Sequence, residues 1–278
     1  MTSKRERFFS AIEHLPVLCP VCRDRLRREG DNLSCDGGHI LNVNRKGYIH
    51  TLGRKATSIY DGDLFDARRT VLSSGAYQGV VEAIDGLIPM ETRRILDAGC
   101  GDGWWLYQIL QRHSDMTGAG CDLSRDGIEK ATDWETPAVW ALSDLRNLPF
   151  DDGCFDTVLN ILSPAAYQEF ERVLSRDGRL IKVYPRENYL REIREAMGVS
   201  PYLDGQVEEY LEEKMEVTGK KRVLETVPVT PEQALAFVQM SPLCHDLKPL
   251  EKEDVARKIQ GRITIDLEVA AAKRKSGQ

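Results

Sequence analysis

The sequence predicts an α/β fold built on a doubly wound, mostly parallel sheet, with a small metal-binding module in front of it. Two observations support this prediction. Strand-like apolar runs alternate with helix-like runs between residues 93 and 184, an order typical of parallel sheets flanked by helices. Ahead of them, within residues 19–39, three cysteines and a histidine stand at the spacing of a four-ligand metal site.

Length and composition are those of a globular protein. The 278 residues suffice for one catalytic domain of ordinary size and a small appendage, and 41% of them are hydrophobic. No apolar run approaches the roughly 20 residues that span a bilayer, and the basic N-terminus has no apolar stretch like that of a signal peptide. The seven cysteines are too scattered for a disulfide framework. We therefore expect a cytoplasmic protein without a membrane partner.

Charge is distributed unevenly along the chain. The net charge is −6, yet the first 60 residues carry eleven basic and six acidic side chains, a surplus of +5 that leaves −11 for the rest. A basic head on an acidic body indicates an anionic partner that the head contacts. An arginine-rich solvated loop is the alternative interpretation.

The head contains the motif C-x2-C-x12-C-x3-H. Two close pairs of sulfur and imidazole ligands suit tetrahedral zinc, and four protein ligands make such a site structural rather than catalytic. We expect residues 27–32 to form a turn between two short strands of a zinc-ribbon-like knuckle. A redox C-x-x-C is the alternative, but no βαβ context surrounds it. The predicted ligands are Cys19, Cys22, Cys35 and His39.

A glycine-rich turn follows the strand predicted at residues 93–96. Asp97 precedes the turn, and a helix is predicted from Trp104 onward. The glycines are Gly99, Gly101 and Gly103. This G-x-G-x-G spacing differs from the G-x-G-x-x-G of dinucleotide sites. Moreover, the acid would repel a pyrophosphate but would hold the ammonium group of a methionine moiety.

Two further acids occur where the next strands are predicted to end. Asp122 closes the run 117–121 and lies 25 residues after Asp97. This is about where a carboxylate at the end of the second strand accepts ribose hydroxyls. Asp144, with Leu145, follows a third strand and could meet an adenine amine. Each acid alone would equally be a loop residue or a helix cap. The glycine turn with Asp97, followed in order by Asp122 and Asp144, resembles the pattern of the class I S-adenosylmethionine-dependent methyltransferases. This resemblance implies a seven-stranded, Rossmann-like sheet.

The later segments continue this pattern. Residues 154–160 and 179–184 predict a fourth and a fifth strand, and residues 263–269 predict an antiparallel strand at the edge of the sheet. The loop with Ser163 and Pro164 faintly resembles the N-P-P-Y loop of amino-methylating enzymes, although the second proline is missing. A loop that simply starts the next helix explains it equally well.

Several segments together resemble the 23S rRNA (guanine-N1)-methyltransferases, which modify a hairpin of domain II near the macrolide site. The Ser-Pro-Ala-x-Tyr stretch is most similar to the Gram-positive, tylosin-resistance-associated branch. The resemblance implies an enzyme that uses S-adenosylmethionine, a structural zinc and 23S rRNA as its partner. The segments are the zinc knuckle with residues 46–49, then 65–69, 75–77, the glycine turn, 163–165 and 239–242.

The resemblance also assigns residues and domains. It implies that Tyr77, Gly103, Trp104 and Tyr189 contact the cofactor, although family members often carry His in place of Tyr189. From the sequence alone, Tyr77 would equally be a core aromatic residue. We expect residues 1–55 to form the zinc-binding, RNA-recognition module with its linker, and 56–278 the methyltransferase domain.

Some questions stay open at this point. Guanine N1 carries a proton, so a base or a strong donor to the base oxygen is expected. Spacing does not choose among Glu187, Asp66, Glu169 and His245. A small-molecule methyltransferase with a zinc cap and a non-catalytic RNA-binding or ribosome-assembly factor are the alternative functions. The sequence fixes neither the modified guanine nor whether the protein is a homodimer.

Overall fold

The structure, a computed structural model, describes residues 2–53, 62–200 and 205–275. The predicted domain boundary, between residues 53 and 63, falls mostly outside the described residues. The helices are α1 (Lys4–Ile12), α2 (Gly62–Ser73), α3 (Gln78–Asp85), α4 (Trp104–Leu110), α5 (Arg125–Ala131), α6 (Tyr167–Val173), α7 (Arg191–Met197), α8 (Gln206–Lys214), α9 (Pro231–Met240) and α10 (Pro249–Lys258). A 3-10 turn covers Pro242–Cys244.

The strands form two sheets. They are β1 (Arg27–Glu29), β2 (Asn32–Ser34), β3 (Ile40–Asn42), β4 (Ile49–His50), β5 (Arg94–Ala98), β6 (Thr117–Asp122), β7 (Ala138–Leu142), β8 (Phe155–Ile161), β9 (Leu174–Pro185), β10 (Glu216–Pro228) and β11 (Arg262–Lys273). Strands β1 to β3 form a small antiparallel sheet, and the others form a sheet in the order β10-β11-β9-β8-β5-β6-β7-β4. The doubly wound, mostly parallel fold is confirmed.

The large sheet differs from the expected one in two respects. Among the described residues it has eight strands rather than seven. The additional strand is β4, which pairs in parallel with β7 at the outer edge. Strand β11 is antiparallel to both of its neighbours, as expected for this segment, but it lies inside the sheet because β10 covers its outer side. Strand β4 could not be predicted, because its two residues are too few to show a periodicity in the sequence.

The small sheet also refines a prediction. Residues 27–32 were expected to be a turn, but β1 and β2 already pair at Glu29 and Asn32. The turn is therefore only Gly30 and Asp31, and Gly30 adopts the left-handed backbone (φ 60°) that such tight hairpins require.

Side chains from the large sheet enter two cores, one on each face. Along β8, Val158 belongs to one core and its neighbour Leu159 to the other, as the two-residue period of a strand dictates. The N-terminal segment packs into the same core as Val158, and Phe8 and Leu33 are fully buried there. The N-terminal segment therefore shares both a core and a sheet with the rest of the protein.

Candidate active site and metal centre

Three parallel strands end at the same edge of the sheet, and their loops surround one cavity of about 530 Å³. Strand β5 leads into the glycine turn, β6 ends at Asp122, and β8 leads into the loop with Ser163 and Pro164. Ligands of open α/β sheets bind at this edge, outside the carboxyl ends of the strands. The cavity is thus where the fold predicts an active site.

The turn after β5 has a backbone conformation that favours glycine at three positions. Gly99, Gly101 and Gly103 have φ values of 86°, 54° and 73°. A Cβ on Gly99 would lie 2.0 Å from the Ser163 Oγ, and one on Gly103 would lie 2.6 Å from the Trp140 ring. The backbone of this turn therefore lies directly against its neighbours, as in sites where the main chain contacts a ligand.

Asp97 is a buried carboxylate on β5, next to the glycine turn. It is 1% exposed, and neither carboxylate oxygen has a hydrogen-bond partner among the described residues. Burial raises the pKa of Asp97 to about 7, whereas the charge of Arg68 opposes that shift. Buried carboxylates are ordinarily paired. This one therefore suits a cationic ligand, such as the ammonium group expected from the sequence.

Asp122 is oriented by the backbone. Its Oδ2 accepts a hydrogen bond from the Gly101 N–H at 2.8 Å, and its Oδ1 accepts one from the Ser124 N–H at 2.7 Å. Burial raises its pKa, and these two backbone donors oppose the shift. Because Asp122 also lines the cavity, its oxygens are placed to accept hydroxyl groups there.

Five of the predicted cofactor residues line the cavity: Tyr77, Gly99, Gly101, Asp122 and Tyr189. The hydroxyl groups of Tyr77 and Tyr189 lie 2.8 Å apart. Tyr77 also packs against Phe237 and Trp105, so its core role and its position at the cavity coincide.

The other predicted residues are not among those that line the cavity. Trp104 is buried against Trp105, and it is Trp105 that lines the cavity. Asp144 forms an ion pair with Arg146 at 2.7 Å. The Leu145 Cδ1 lies 3.7 Å from the position that a Cβ on Gly99 would take. The cofactor-binding roles of Asp97, Gly103, Trp104, Asp144 and Leu145, and those of the five residues that line the cavity, stay predictions.

The four candidate bases lie outside the lining of the cavity in the part of the chain that the structure describes. Glu187 pairs with Arg222, Asp66 with Lys130, and Glu169 with Arg172. His245 is exposed.

Three cationic side chains that line the cavity, Arg68, Lys182 and Arg194, were not predicted from the sequence. The Arg68 Nη1 lies 3.2 Å from the position that a Cβ on Gly101 would take, and the charge of Arg68 opposes the rise in pKa that burial causes at Asp97 and Asp122. Lys182 lies in the middle of β9 and is only 4% exposed. The one signal for Lys182 is a lysine inside an otherwise apolar strand, and such a lysine more often points to solvent.

The predicted metal ligands come together. The ligand atoms of Cys19, Cys22, Cys35 and His39 all lie within 4.8 Å of one another. The Sγ atoms of Cys22 and Cys35 are 3.5 Å apart, and the Cys35 Sγ is 3.4 Å from the His39 Nδ1. Zinc–sulfur bonds of about 2.3 Å in a tetrahedral site place two sulfurs about 3.8 Å apart. The cluster therefore fits a tetrahedral ion, and all seven cysteines are free thiols.

The positive charge of the head is largely balanced within the protein. Exposed or half-exposed ion pairs join Lys4 to Asp133, Arg25 to Asp151 and Lys46 to Glu129, and these acids belong to the body. Within the head, Arg5, Arg27 and Arg28 pair with acids as well. The acidic body is thus one anionic partner of the head. Such surface pairs are weak and can exchange for phosphate contacts.

Sheet order, glycine turn and the two acids of β5 and β6 define a class I S-adenosylmethionine-dependent methyltransferase. A methyltransferase domain family matches residues 95–180. The crystal structure of the [4+2]-cyclase SpnF has the same fold, with a TM-score of 0.53, 16% identity, and coverage of 78% of this chain and 94% of that one. Among the described residues, no helix is both long and apolar enough to cross a bilayer.

Sequence relatives specify the family. YxjB of Bacillus subtilis strain 168, assigned by its name to the 23S rRNA (guanine-N1)-methyltransferases, is 38% identical over 188 residues, 64% of this chain and 67% of that protein. The 23S rRNA (guanine(748)-N1)-methyltransferase of Streptomyces fradiae is 29% identical over 251 residues, 87% of this chain and 89% of that protein. The chain belongs to the 23S rRNA (guanine-N1)-methyltransferase family.

Proposed function

We propose that this protein transfers a methyl group from S-adenosylmethionine to N1 of a guanine in a hairpin loop of 23S rRNA domain II. The observation that carries the proposal is the unpaired, buried carboxylate of Asp97 behind the glycine turn, in a chain whose relatives are named for this reaction. It favours an enzyme over a binding factor, because a buried charge without a partner is costly unless a ligand compensates it.

The cofactor would occupy the end of the cavity formed by the glycine turn. Asp97 would attract its ammonium group, and Asp122 would accept hydrogen bonds from the ribose hydroxyls. Asp144 and Leu145 are proposed for the adenine, and Tyr77 with Tyr189 for the methionine side of the cavity. When bound, S-adenosylmethionine supplies an electrophilic methyl group. The protein contributes alignment and the exclusion of water.

The acceptor end of the cavity lies beyond the loop after β8. Leu162, Pro164 and Leu243 line it, so its walls are largely apolar. A guanine reaches such a cavity only after leaving its stack, which costs least in a hairpin loop. The small-molecule alternative has less support. A relative named for such a substrate, the fatty-acid O-methyltransferase of Mycolicibacterium smegmatis, matches only 34% of this chain.

For the N-terminal module we propose a structural zinc ion held by Cys19, Cys22, Cys35 and His39. Residues 1–55 would contact the RNA, and residues 56–278 would perform the methyl transfer. Exposed arginines of the module would bind the phosphates that flank the target loop, so binding would weaken with added salt. We propose the cytoplasm, where ribosomal RNA is modified, as the site of action.

The test is transfer of labelled methyl groups from S-adenosylmethionine to unmodified 23S rRNA, with primer extension to locate the adduct. We expect one strong stop at a guanine of the domain II hairpin, and its loss in Asp97→Asn. Asp156→Asn, which removes a carboxylate from the opposite end of β8, is the control that should retain activity. Cofactor binding without labelled RNA would favour a small-molecule substrate. Absence of cofactor binding would favour a non-catalytic binding factor.

A further inference from the structure

Lys182 is a buried amine at the wall of the cavity. It is 4% exposed, and its backbone pairs with Asn160 of β8 on one side and with Ala270 of β11 on the other. Its Nζ donates hydrogen bonds to the Asn160 Oδ1 at 2.5 Å and to the Ser163 carbonyl oxygen at 2.6 Å. The ammonium group thus reaches the loop after β8 and is held there by two acceptors.

The same contacts place Lys182 next to the glycine turn. The Asn160 Nδ2 donates to the carbonyl oxygens of Ala98 at 2.8 Å and Pro164 at 3.2 Å, which ties the end of β5 to the loop. The Ser163 side chain lies directly against Gly99. Ser163 therefore lies between the Lys182 amine and the glycine turn, on which the cofactor would lie. The amine itself lines the part of the cavity that we propose for the acceptor.

The surroundings of Lys182 favour its neutral form. Both hydrogen-bond partners are uncharged, and so are its strand neighbours Asn160 and Ala270. The charged side chains that share the cavity are Arg68, Asp122 and Arg194. Burial lowers the pKa of Lys182 to about 8. A neutral amine keeps two N–H bonds, enough for both acceptors, and its lone pair is then left for a third group.

We propose that Lys182 is the general base that removes the N1 proton of the target guanine, an inference that rests on the proposed function. The Nζ lone pair takes the proton and becomes an ammonium group. The electron pair released on N1 forms the bond to the methyl carbon, and the carbon–sulfur bonding pair stays on sulfur. Base and acid catalysts work best when their pKa lies near the working pH, and burial such as this brings a lysine into that range.

The first experiment compares single-turnover methylation by the wild type and by Lys182→Arg from pH 6.5 to 9. Arginine can still donate hydrogen bonds to the Asn160 and Ser163 acceptors, but it stays charged and cannot act as a base. The wild-type rate should rise with pH, reach half of its maximum near pH 8 and level off above that. The variant should be slower on the order of 100-fold or more at pH 7, with a rate that keeps rising because only pre-ionised guanine reacts. Lys221→Arg, on the exposed face of β10, is the matched control.

A second measurement does not depend on turnover. In protein with labelled lysine side chains, the Lys182 Cε resonance, assigned from its loss in Lys182→Arg, should titrate near pH 8. Methylamine should also restore activity to Lys182→Ala. Titration near the ordinary lysine value, together with a wild-type pH profile in Lys182→Arg, would overturn the role of Lys182 and leave the proposed function intact. A wild-type protein that methylates no RNA would instead overturn the proposed function.

Discussion

The hydroxyl groups of Tyr77 and Tyr189 form a 2.8 Å hydrogen bond that joins the start of α3 to the turn before α7. Burial raises the pKa of both hydroxyl groups, so both are protonated and one donates to the other. Both residues line the cavity, so the shape of the cavity depends on segments 112 residues apart in the chain.

Breaking this bond should weaken both stability and cofactor binding. We expect Tyr77→Phe and Tyr189→Phe each to lower the free energy of unfolding by about 1–3 kcal/mol, because a buried hydroxyl loses its partner. The double variant should cost less than the sum of the two. Urea denaturation and calorimetric titration with S-adenosylmethionine measure the effects. Tyr107→Phe is the control, since Tyr107 stacks on Trp134 and does not line the cavity. Additive losses would show that the pair is not coupled.

Cofactor affinity should depend on pH through Asp97. The pKa of about 7 means that the carboxylate is partly protonated near neutrality, and the ammonium group binds its ionised form. Affinity should therefore fall as pH drops below about 7, by up to about tenfold per pH unit. Calorimetric titration between pH 5.5 and 8 measures this. In Asp97→Asn the affinity should be weaker and nearly independent of pH. An unchanged slope in that variant would assign the effect to another group.

Stability without cofactor should show the opposite dependence. The folded pKa of Asp97 lies above its unfolded value of about 3.8, so the unfolded chain releases the proton first. The stability of the protein should thus decrease as pH rises from about 4 to 7 and stay level with respect to this group above that range. The integrated loss is about 4 kcal/mol at most. Urea denaturation at several pH values should show this contribution in the wild type and its absence in Asp97→Asn.

Two glycines with similar backbone angles allow a controlled test of the turn. Gly103 (φ 73°) faces the Trp140 ring, whereas a Cβ on Gly198 (φ 68°) would meet open space. Gly198→Ala should cost about 1 kcal/mol for the left-handed backbone alone. Gly103→Ala adds overpacking and should cost roughly 1–3 kcal/mol more. If urea denaturation shows the same loss in the free energy of unfolding for both variants, the Trp140 ring moves aside without an energetic cost.

Metal content tests the N-terminal cluster. We expect one zinc ion per chain by elemental analysis, its loss in Cys35→Ser, and its retention in Cys154→Ala, whose cysteine is buried elsewhere in the core. Zinc removal should lower the thermal stability of the whole protein, because the module shares a core with the large sheet. A metal-free wild type as stable as the purified protein would contradict this.

Much of the site follows from the sequence because it depends on local signals. Strand β6 has the predicted bounds, 117–122, and the positions of Gly99, Gly101 and Asp122 follow from the order of strand, turn and strand. The cluster of Cys19 and its partners follows from ligand spacing alone. These features need no knowledge of distant contacts.

The remainder depends on packing between distant segments. Strand β4 forms because Ile49 pairs with Ala141, 92 positions later in the chain, and no periodicity in the sequence predicts such a pair. Lys182 was missed for a related reason: its burial depends on β11, which the chain adds almost 90 residues further on. The ion pairs between the basic head and the acidic body could not be predicted from the sequence either, because charge counts do not show which surfaces are in contact.

The pairing of β4 with β7 has a consequence for how this protein can be divided. A chain cut between the two segments would present the backbone of β7 as an open edge, beside the apolar surface that Phe8 and Leu33 now cover. The catalytic part should therefore aggregate when it is expressed alone. Because the N-terminal segment completes the sheet and covers one of its cores, we expect the two parts to be stable only together.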